Sequence, residues 1–270
     1  MMSTTLPGFE ISPDGTAYSR HGITNDRVLI LIHGFGLCRE IWAPFVAHLS
    51  HTYQVITYDL HGHGDSSPLP DGASLSLYAR QIRTLMDHCG VEQADLIGFS
   101  IGGMINRRFA MDYPARCRSL VILNSPHDRG IEGQKLVEDR ARKVQEEGKM
   151  ATLPAALERW FTPRFRAANP EVMQQVSRWR ENTDDRSYAG TAWVLADGVK
   201  ELISPSPPLA LPSLVVTCEH DSGSTPQMSH QIAAEIPGAE TYIIPELQHL
   251  GLMEEPHLYL RSIQSFLERT

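Results

Sequence analysis

Apolar residues in this chain recur in short continuous runs that alternate with segments of helical spacing. The runs are rich in branched aliphatic residues and lie at residues 27–33, 54–59, 94–100, 119–125, 213–219 and 240–246. Apolarity at consecutive positions is typical of a strand that is covered on both faces, as in a parallel sheet. The segment 8–22 differs, because a Pro-Asp-Gly turn separates two short extended pieces, and it predicts a β-hairpin.

Between the runs, apolar side chains fall on one face of predicted helices. Residues 40–50, 75–90 and 101–114 show this spacing, and Gly90 stands where a helix C-cap is expected. Strands that alternate with helices in this way build a doubly wound, mostly parallel sheet. The pattern therefore predicts an α/β fold.

The alternation stops after Asn124. From residue 131 to about residue 199 the chain shows only helical segments, at 133–149, 153–163, 169–183 and 187–199. A proline-rich stretch then leads back to a strand at 213–219. An insertion between two late strands usually covers the strand ends as a lid. We expect a core over 1–128 and 205–270 and a helical cap over 129–204.

Composition narrows the class of protein. The chain has 270 residues, of which 41% are hydrophobic and 21% charged, and its formal net charge is −8, so it is an ordinary globular protein. The acidic balance and the absence of a basic patch argue against binding to nucleic acid or to an anionic membrane. No apolar run has the length of a membrane span, and the N-terminus lacks the pattern of a secretory signal.

Four cysteines are scattered along the chain without pairs at metal-ligand spacing, at Cys38, Cys89, Cys117 and Cys218. Thiols in this arrangement are expected to be reduced. Together with the missing signal pattern, they predict a cytoplasmic protein.

The clearest chemical motif is the stretch GFSIGG at 98–103, where a predicted strand turns into a predicted helix. A residue on so sharp a turn has a strained backbone, and residues two positions away crowd it unless they are glycine. Gly98 and Gly102 meet that need, and Gly103 would let the helix pack close to the sheet. The turn exposes the Ser100 hydroxyl at a helix N-terminus, as a nucleophile requires.

A serine nucleophile needs a base, and the base needs an orienting acid. Of the 12 histidines, His249 follows the last strand and precedes the final helix, where a loop can return to the end of the sheet. Two carboxylates are candidates for the acid. Asp221 follows the strand at 213–219, and Asp128 follows the preceding strand.

Acyl transfer also needs hydrogen-bond donors for the oxyanion. The loop HGFG at 33–36 follows a strand directly, and its glycines allow the chain to turn back toward Ser100. The backbone N–H groups of Phe35 and Ile101 are therefore the predicted donors.

The loop DLHGHGDSS contains residue types that can bind a metal. His61 and His63 with Asp59 and Asp65 lack a third well-placed ligand, so this pattern is weak. The chain also lacks the glycine spacing of phosphate or dinucleotide loops. No cofactor and no metal are expected.

Five motifs, HGFG, DLHGHGDSS, GFSIGG, EHDSGSTP and QHLGLMEEP, occur in an order that resembles the α/β-hydrolase superfamily over nearly the whole chain. The order Ser, acid, His in that superfamily favours Asp221 over Asp128. The stretches WFTPRFRAANPEVMQQV and DRSYAGTAWVLADG, with IPGAETYIIPELQHL, are similar to 3-oxoadipate enol-lactonases. This resemblance implies hydrolysis of a small carboxylated enol-lactone in bacterial aromatic catabolism.

We therefore expect a serine hydrolase that acts on a small ester or lactone through an acyl-enzyme. A carbon-carbon hydrolase of ring-cleavage products and a carboxylesterase or methylesterase are alternatives of the same fold, and a non-catalytic ligand-binding homologue is an alternative of another class. An acidic substrate would need cationic or hydrogen-bonding groups in the pocket. The candidates are Arg39, Trp42, Arg129, Trp160 and Trp193.

Overall fold

A computed structural model describes residue 6 and residues 8–23 and 27–270 of the chain. Residues 1–5 and 7, part of the stretch on which the signal prediction rests, lie outside the described residues. The strands are β1 (Glu10–Ile11), β2 (Ala17–His21), β3 (Val28–Ile32), β4 (Gln54–Tyr58), β5 (Ala94–Phe99), β6 (Cys117–Leu123), β7 (Ser213–Cys218) and β8 (Glu240–Ile244). The helices are α1 (Ala43–Leu49), α2 (Leu75–Cys89), α3 (Ile101–Asp112), α4 (Gly130–Glu147), α5 (Leu153–Trp160), α6 (Pro163–Ala168), α7 (Pro170–Glu181), α8 (Asp185–Asp197), α9 (Pro226–Glu235), α10 (Gly251–Glu254) and α11 (Pro256–Leu267).

The strands form one sheet in the spatial order β1-β2-β4-β3-β5-β6-β7-β8. β1 and β2 make the predicted hairpin, and β2 pairs antiparallel with β4. Every pairing from β4 to β8 is parallel. β3 and β5 are buried along their whole length, because helices cover both faces of the sheet. The predicted α/β-hydrolase architecture, with a mostly parallel doubly wound sheet, is confirmed.

Two apolar clusters lie on opposite faces of the sheet. One joins the alternate residues of the strands to α2 and α3, and the other joins the remaining strand residues to α1 and α11. α2 ends at Gly90 in the left-handed conformation, with φ of 69°, as its sequence predicts. No helix within residues 6, 8–23 and 27–270 is long and apolar enough to cross a membrane.

Helices α4 to α8 all lie between β6 and β7. Several details of the helices differ from the sequence prediction. The segment 40–50 is a 3₁₀ turn at Arg39–Trp42 followed by α1, because Pro44 is accepted only in the first turn of an α-helix. The short helix α6 was not predicted, although Thr162 caps it by accepting a hydrogen bond from the Phe165 N–H and Pro163 begins it.

Candidate active site

Ser100 lies in the turn between β5 and α3 with φ of 57° and ψ of −116°. A Cβ atom on Gly98 would overlap the carbonyl group of Gly102, and one on Gly102 would overlap the carbonyl oxygen of Ile32. A Cβ atom on Gly103 would lie 2.7 Å from the Ser125 Cβ. The steric prediction for the three glycines is confirmed, since backbone atoms leave no room for a side chain at Gly98 and Gly102, and neighbouring side chains crowd Gly103.

The structure brings Ser100, His249 and Asp221 together at the carboxyl ends of the parallel strands. The Nε2 atom of His249 lies 3.2 Å from the Ser100 Oγ, and its Nδ1 atom lies 2.7 Å from the Asp221 Oδ2. Asp128 does not join them. Its side chain is exposed and accepts a hydrogen bond of 2.9 Å from the Gly130 N–H. Of the two candidate acids, Asp221 alone contacts the histidine.

The Asp221 carboxylate is buried and accepts several hydrogen bonds. Its Oδ1 accepts the backbone N–H groups of Gly223 and Ser224, each at 2.9 Å, and its Oδ2 accepts the Asn124 side-chain amide at 2.9 Å. Burial acts to raise the pKa of Asp221, but the charge and hydrogen bond of His249, helped by Asn124 and Ser224, lower it overall. The carboxylate therefore stays ionised and can stabilise a protonated imidazole.

Asn124 is itself held by a buried network that sequence reasoning missed. The Tyr259 hydroxyl donates to the Asn124 Oδ1 at 2.8 Å and lies 2.9 Å from the Cys218 Sγ. Asn124 has a φ of 46°, a conformation that asparagine tolerates better than most residues. The sequence indicates this role only through the position of Asn124 directly after β6, which pairs with the strand that leads to Asp221.

The predicted oxyanion donors lie in two turns beside Ser100. The Phe35 N–H has no hydrogen-bond partner within the described part of the chain. Ile101 begins α3, so its N–H has no carbonyl four residues earlier inside the helix. His33 supports the first turn, because its Nδ1 lies 2.8 Å from the Gly34 carbonyl oxygen and its Nε2 accepts the Leu60 N–H at 2.9 Å.

Ser100 and His249 line a cavity of about 130 Å³ whose outer walls come from the helices between β6 and β7. Among the predicted pocket residues, Arg129 and Trp160 line this cavity. Arg39, Trp42 and Trp193 do not, and their assignment to the pocket is wrong.

These three residues have their main contacts elsewhere in the fold. Arg39 forms a buried ion pair with Asp59 and a second ion pair, at 2.9 Å, with Asp65. Trp42 is fully buried, with its ring 5.2 Å from that of Phe45. The Trp193 indole donates to the Gln145 Oε1 at 3.0 Å. The partners of Arg39 and Trp193 are distant in sequence, whereas Phe45 lies only three residues after Trp42.

Three further arginines line the cavity without having been predicted. Arg140 comes from α4, Arg159 from α5 and Arg180 from α7. Each comes from a different helix, so only the packing of the helices brings them together with Arg129. The signal in the sequence was limited to the arginine content of this helical segment.

The loop considered for a metal has other roles in the structure. Asp59 accepts hydrogen bonds from the backbone and the guanidinium of Arg39. Burial and the neighbouring His33 lower the pKa of His63 to about 3. The Nε2 atom of His61 lies 4.0 Å from the Asp14 Oδ2. Among the described residues, no three His, Cys, Asp or Glu side chains are grouped as metal ligands.

Comparison with known proteins gives consistent matches. The model of the alpha/beta hydrolase fold family matches residues 27–256. The chain is 26% identical to 3-oxoadipate enol-lactonase 2 of Acinetobacter baylyi, over 93% of this chain and 92% of that protein. It is also 26% identical to (E)-2-((N-methylformamido)methylene)succinate hydrolase of the same organism, over 100% of both chains. The crystal structure of an enol-lactonase from Burkholderia xenovorans superposes with a TM-score of 0.86 at 26% identity, covering 94% of this chain and 96% of that one.

Proposed function

The chain belongs to the α/β-hydrolase fold family and is a hydrolase, and from that premise we propose that it is a serine hydrolase of small esters or lactones. The observation that carries the proposal is the hydrogen-bonded path from the Ser100 Oγ through His249 to the Asp221 carboxylate, which borders a cavity. In this proposal Ser100 is the nucleophile, His249 the general base and Asp221 the acid that orients the imidazole.

In the first half-reaction, the Ser100 Oγ attacks the substrate carbonyl carbon while its proton passes to the His249 Nε2. The Asp221 carboxylate holds the Nδ1–H and stabilises the imidazolium that forms. The negative charge that develops on the carbonyl oxygen is stabilised by the N–H groups of Phe35 and Ile101. Collapse of this intermediate breaks the bond to the leaving oxygen, which takes the proton from His249.

In the second half-reaction, a water molecule gives its proton to the His249 Nε2 and attacks the acyl carbon on Ser100. Collapse returns the proton to the Ser100 Oγ and releases a carboxylic acid. With a lactone, the leaving oxygen remains attached to the acyl chain, so the product is a single hydroxy or keto acid.

An enol-lactone in the breakdown of aromatic compounds is the substrate we propose first. The similarity to a 3-oxoadipate enol-lactonase and to an enol-lactonase of known structure supports this choice. Arginine side chains on the cavity wall suit a substrate that carries a carboxylate. The competing functions are hydrolysis of a carbon-carbon bond in a ring-cleavage dienone, hydrolysis of a simple ester, and ligand binding without turnover.

The test is turnover of a panel by the wild-type protein. The panel contains an enol-lactone, a ring-cleavage dienone, a methyl ester and p-nitrophenyl acetate. We expect the enol-lactone to have the highest kcat/KM. Preference for the dienone would replace the lactonase assignment by a carbon-carbon hydrolase, and no turnover of any member would favour a binding protein.

Variants test the roles of the residues. Ser100→Ala is expected to lower kcat by roughly a thousandfold or more with the fold intact. Asp221→Asn is expected to cause a large loss, whereas Asp128→Asn is the matched control, since its carboxylate only caps the turn at Gly130. Circular dichroism checks folding. Undiminished turnover by Ser100→Ala, or a larger loss in Asp128→Asn than in Asp221→Asn, would contradict the assignment.

A further inference from the structure

Four arginines line the cavity that holds Ser100, and none of them forms an ion pair with a carboxylate among the described residues. They are Arg129, Arg140, Arg159 and Arg180. Arg180 is 1% exposed, yet its Nε has no hydrogen-bond partner within the described part of the chain. A buried guanidinium normally finds an anion, because desolvation of an unpaired charge is costly.

The existing contacts of these arginines are with neutral groups. Arg129 donates to the carbonyl oxygens of Leu195 and Ala196, at 3.0 and 3.4 Å. Arg159 donates to the Ala155 carbonyl of its own helix at 3.1 Å. Such contacts hold the side chains in place but leave their charge uncompensated.

Arg180 is held at another wall of the cavity. It donates to the Thr152 hydroxyl at 3.3 Å and lies over the rings of Trp160 and Tyr188, at 5.0 and 5.4 Å. Arg39 shows the contrasting case in this chain, because it is buried and forms ion pairs with Asp59 and Asp65. The cavity arginines differ from Arg39 in having no carboxylate partner among the described residues, a feature that they share with the buried Arg107.

The positive charges of the cavity arginines influence one another. Burial lowers the pKa of Arg129 to about 10, with a further contribution from Arg140. Burial likewise lowers the pKa of Arg159 to about 10, with contributions from Arg140 and Arg180 that the charge of Asp221 partly offsets. Arginine side chains stay protonated in proteins at neutral pH. Asp221 is the only carboxylate among the described residues of the cavity wall, and His249, Asn124 and two backbone N–H groups already engage it.

We infer that the substrate is a dianion with two separate carboxylates, which the four cavity arginines bind. This inference rests on the proposed function and narrows it, because it requires an ester or lactone with two free carboxylates, one more than the enol-lactone of 3-oxoadipate carries. A carboxylate has two oxygens and pairs well with one or two guanidinium groups. A single carboxylate would therefore leave two of the four charges without a partner.

The rest of the protein favours such a ligand. The chain has a net charge of −8, so a locally positive cavity distinguishes the site from the remaining surface and draws anions to it. The apolar parts of the wall, which include Phe35, Val144 and Leu195, suit the short carbon chain between the carboxylates.

The experiment is direct calorimetric binding of succinate, glutarate, butyrate and inorganic phosphate to the wild-type protein at fixed ionic strength. We expect succinate or glutarate to bind about tenfold or more tightly than butyrate, because the second carboxylate gains its own charged hydrogen bonds. Arg129→Gln and Arg180→Gln, which come from different parts of the cavity wall, are each expected to reduce that preference to about twofold or less. If Arg180→Gln does not fold, Arg159→Gln takes its place.

Arg142→Gln is the matched control, since Arg142 lies on α4 like Arg140 but is exposed and pairs with Asp139 at 2.7 Å. It is expected to keep the full preference for dicarboxylates. Equal binding of butyrate and the better dicarboxylate would overturn the inference. Tighter binding of phosphate than of either dicarboxylate would overturn it in favour of a compact anion.

Turnover of p-nitrophenyl acetate by the same preparation separates the two proposals. Turnover without a preference for dicarboxylates would overturn only the two-carboxylate inference. A preference that both arginine variants abolish, in a protein that turns over no substrate, would support the anion site and refute the serine hydrolase.

Discussion

Acid is expected to destabilise the turn that carries the Phe35 N–H, because two buried histidines beneath it are held neutral. Both ring nitrogens of His33 are engaged in its neutral form, as a donor to Gly34 and as an acceptor from Leu60. Burial is the main cause that lowers the pKa of His33 to about 4 and that of His63 to about 3. The two rings lie 5.4 Å apart, so a charge on one disfavours a charge on the other.

The size of the effect follows from proton linkage. In the unfolded chain both histidines titrate near the ordinary pKa of about 6.5, so below that pH the unfolded state binds protons that the folded state does not. Stability therefore falls as the pH decreases from about 6.5 toward the folded pKa values. Between about pH 7.5 and pH 5 each histidine removes about 2 kcal/mol from the free energy of unfolding, and the pair about 4 kcal/mol.

The assay is urea unfolding of the wild type and of His63→Gln at these two pH values. We expect the free energy of unfolding of His63→Gln to fall by about 2 kcal/mol less than that of the wild type. Because each protein is compared with itself, the cost of the substitution cancels. His257→Gln is the control, since the side chain of His257 is 62% exposed. An equal fall in the wild type and His63→Gln would refute the reasoning.

Two further predictions concern the candidate catalytic centre. Gly98→Ala is expected to lower the free energy of unfolding by about 3 kcal/mol or more, because its Cβ would overlap the Gly102 backbone. Gly8→Ala is the control in the same urea assay, since a Cβ at Gly8 would meet nothing within 4 Å. Tyr259→Phe removes the hydroxyl that fixes Asn124 and is expected to lower kcat for p-nitrophenyl acetate by about tenfold with KM changed less than about twofold; an unchanged kcat would limit Tyr259 to packing.

The turn at Ser100 could be predicted because its constraint is local. Gly98, Gly102 and Gly103 stand within three residues of the serine, and the close contacts they permit follow from the sharp change from strand to helix. The placement of His249 and Asp221 needed one more rule, that parallel strands end at one edge of the sheet.

The arginine sites could not be predicted because their partners are distant in sequence. Arg39 follows the HGFG loop closely, but its side chain forms an ion pair with Asp59, directly after β4, and does not line the cavity. Arg140, Arg159 and Arg180 meet only because three helices pack around one cavity. Helical spacing fixes which side of a helix each residue occupies, but the relative position of the helices depends on side-chain packing over the whole insertion.

The end of α5 joins the arginine cluster to the loop of His249. The Trp160 carbonyl accepts the Leu250 N–H at 2.8 Å, one residue beyond His249, and the Trp160 ring lies 6.3 Å from the imidazole. Arg159 directly precedes Trp160 on the same helix. Under the proposed function, a carboxylate bound at Arg159 acts on the segment that positions the base. Binding energy from a remote part of the substrate can then contribute to the reaction at Ser100, because it orders the group that must accept the proton.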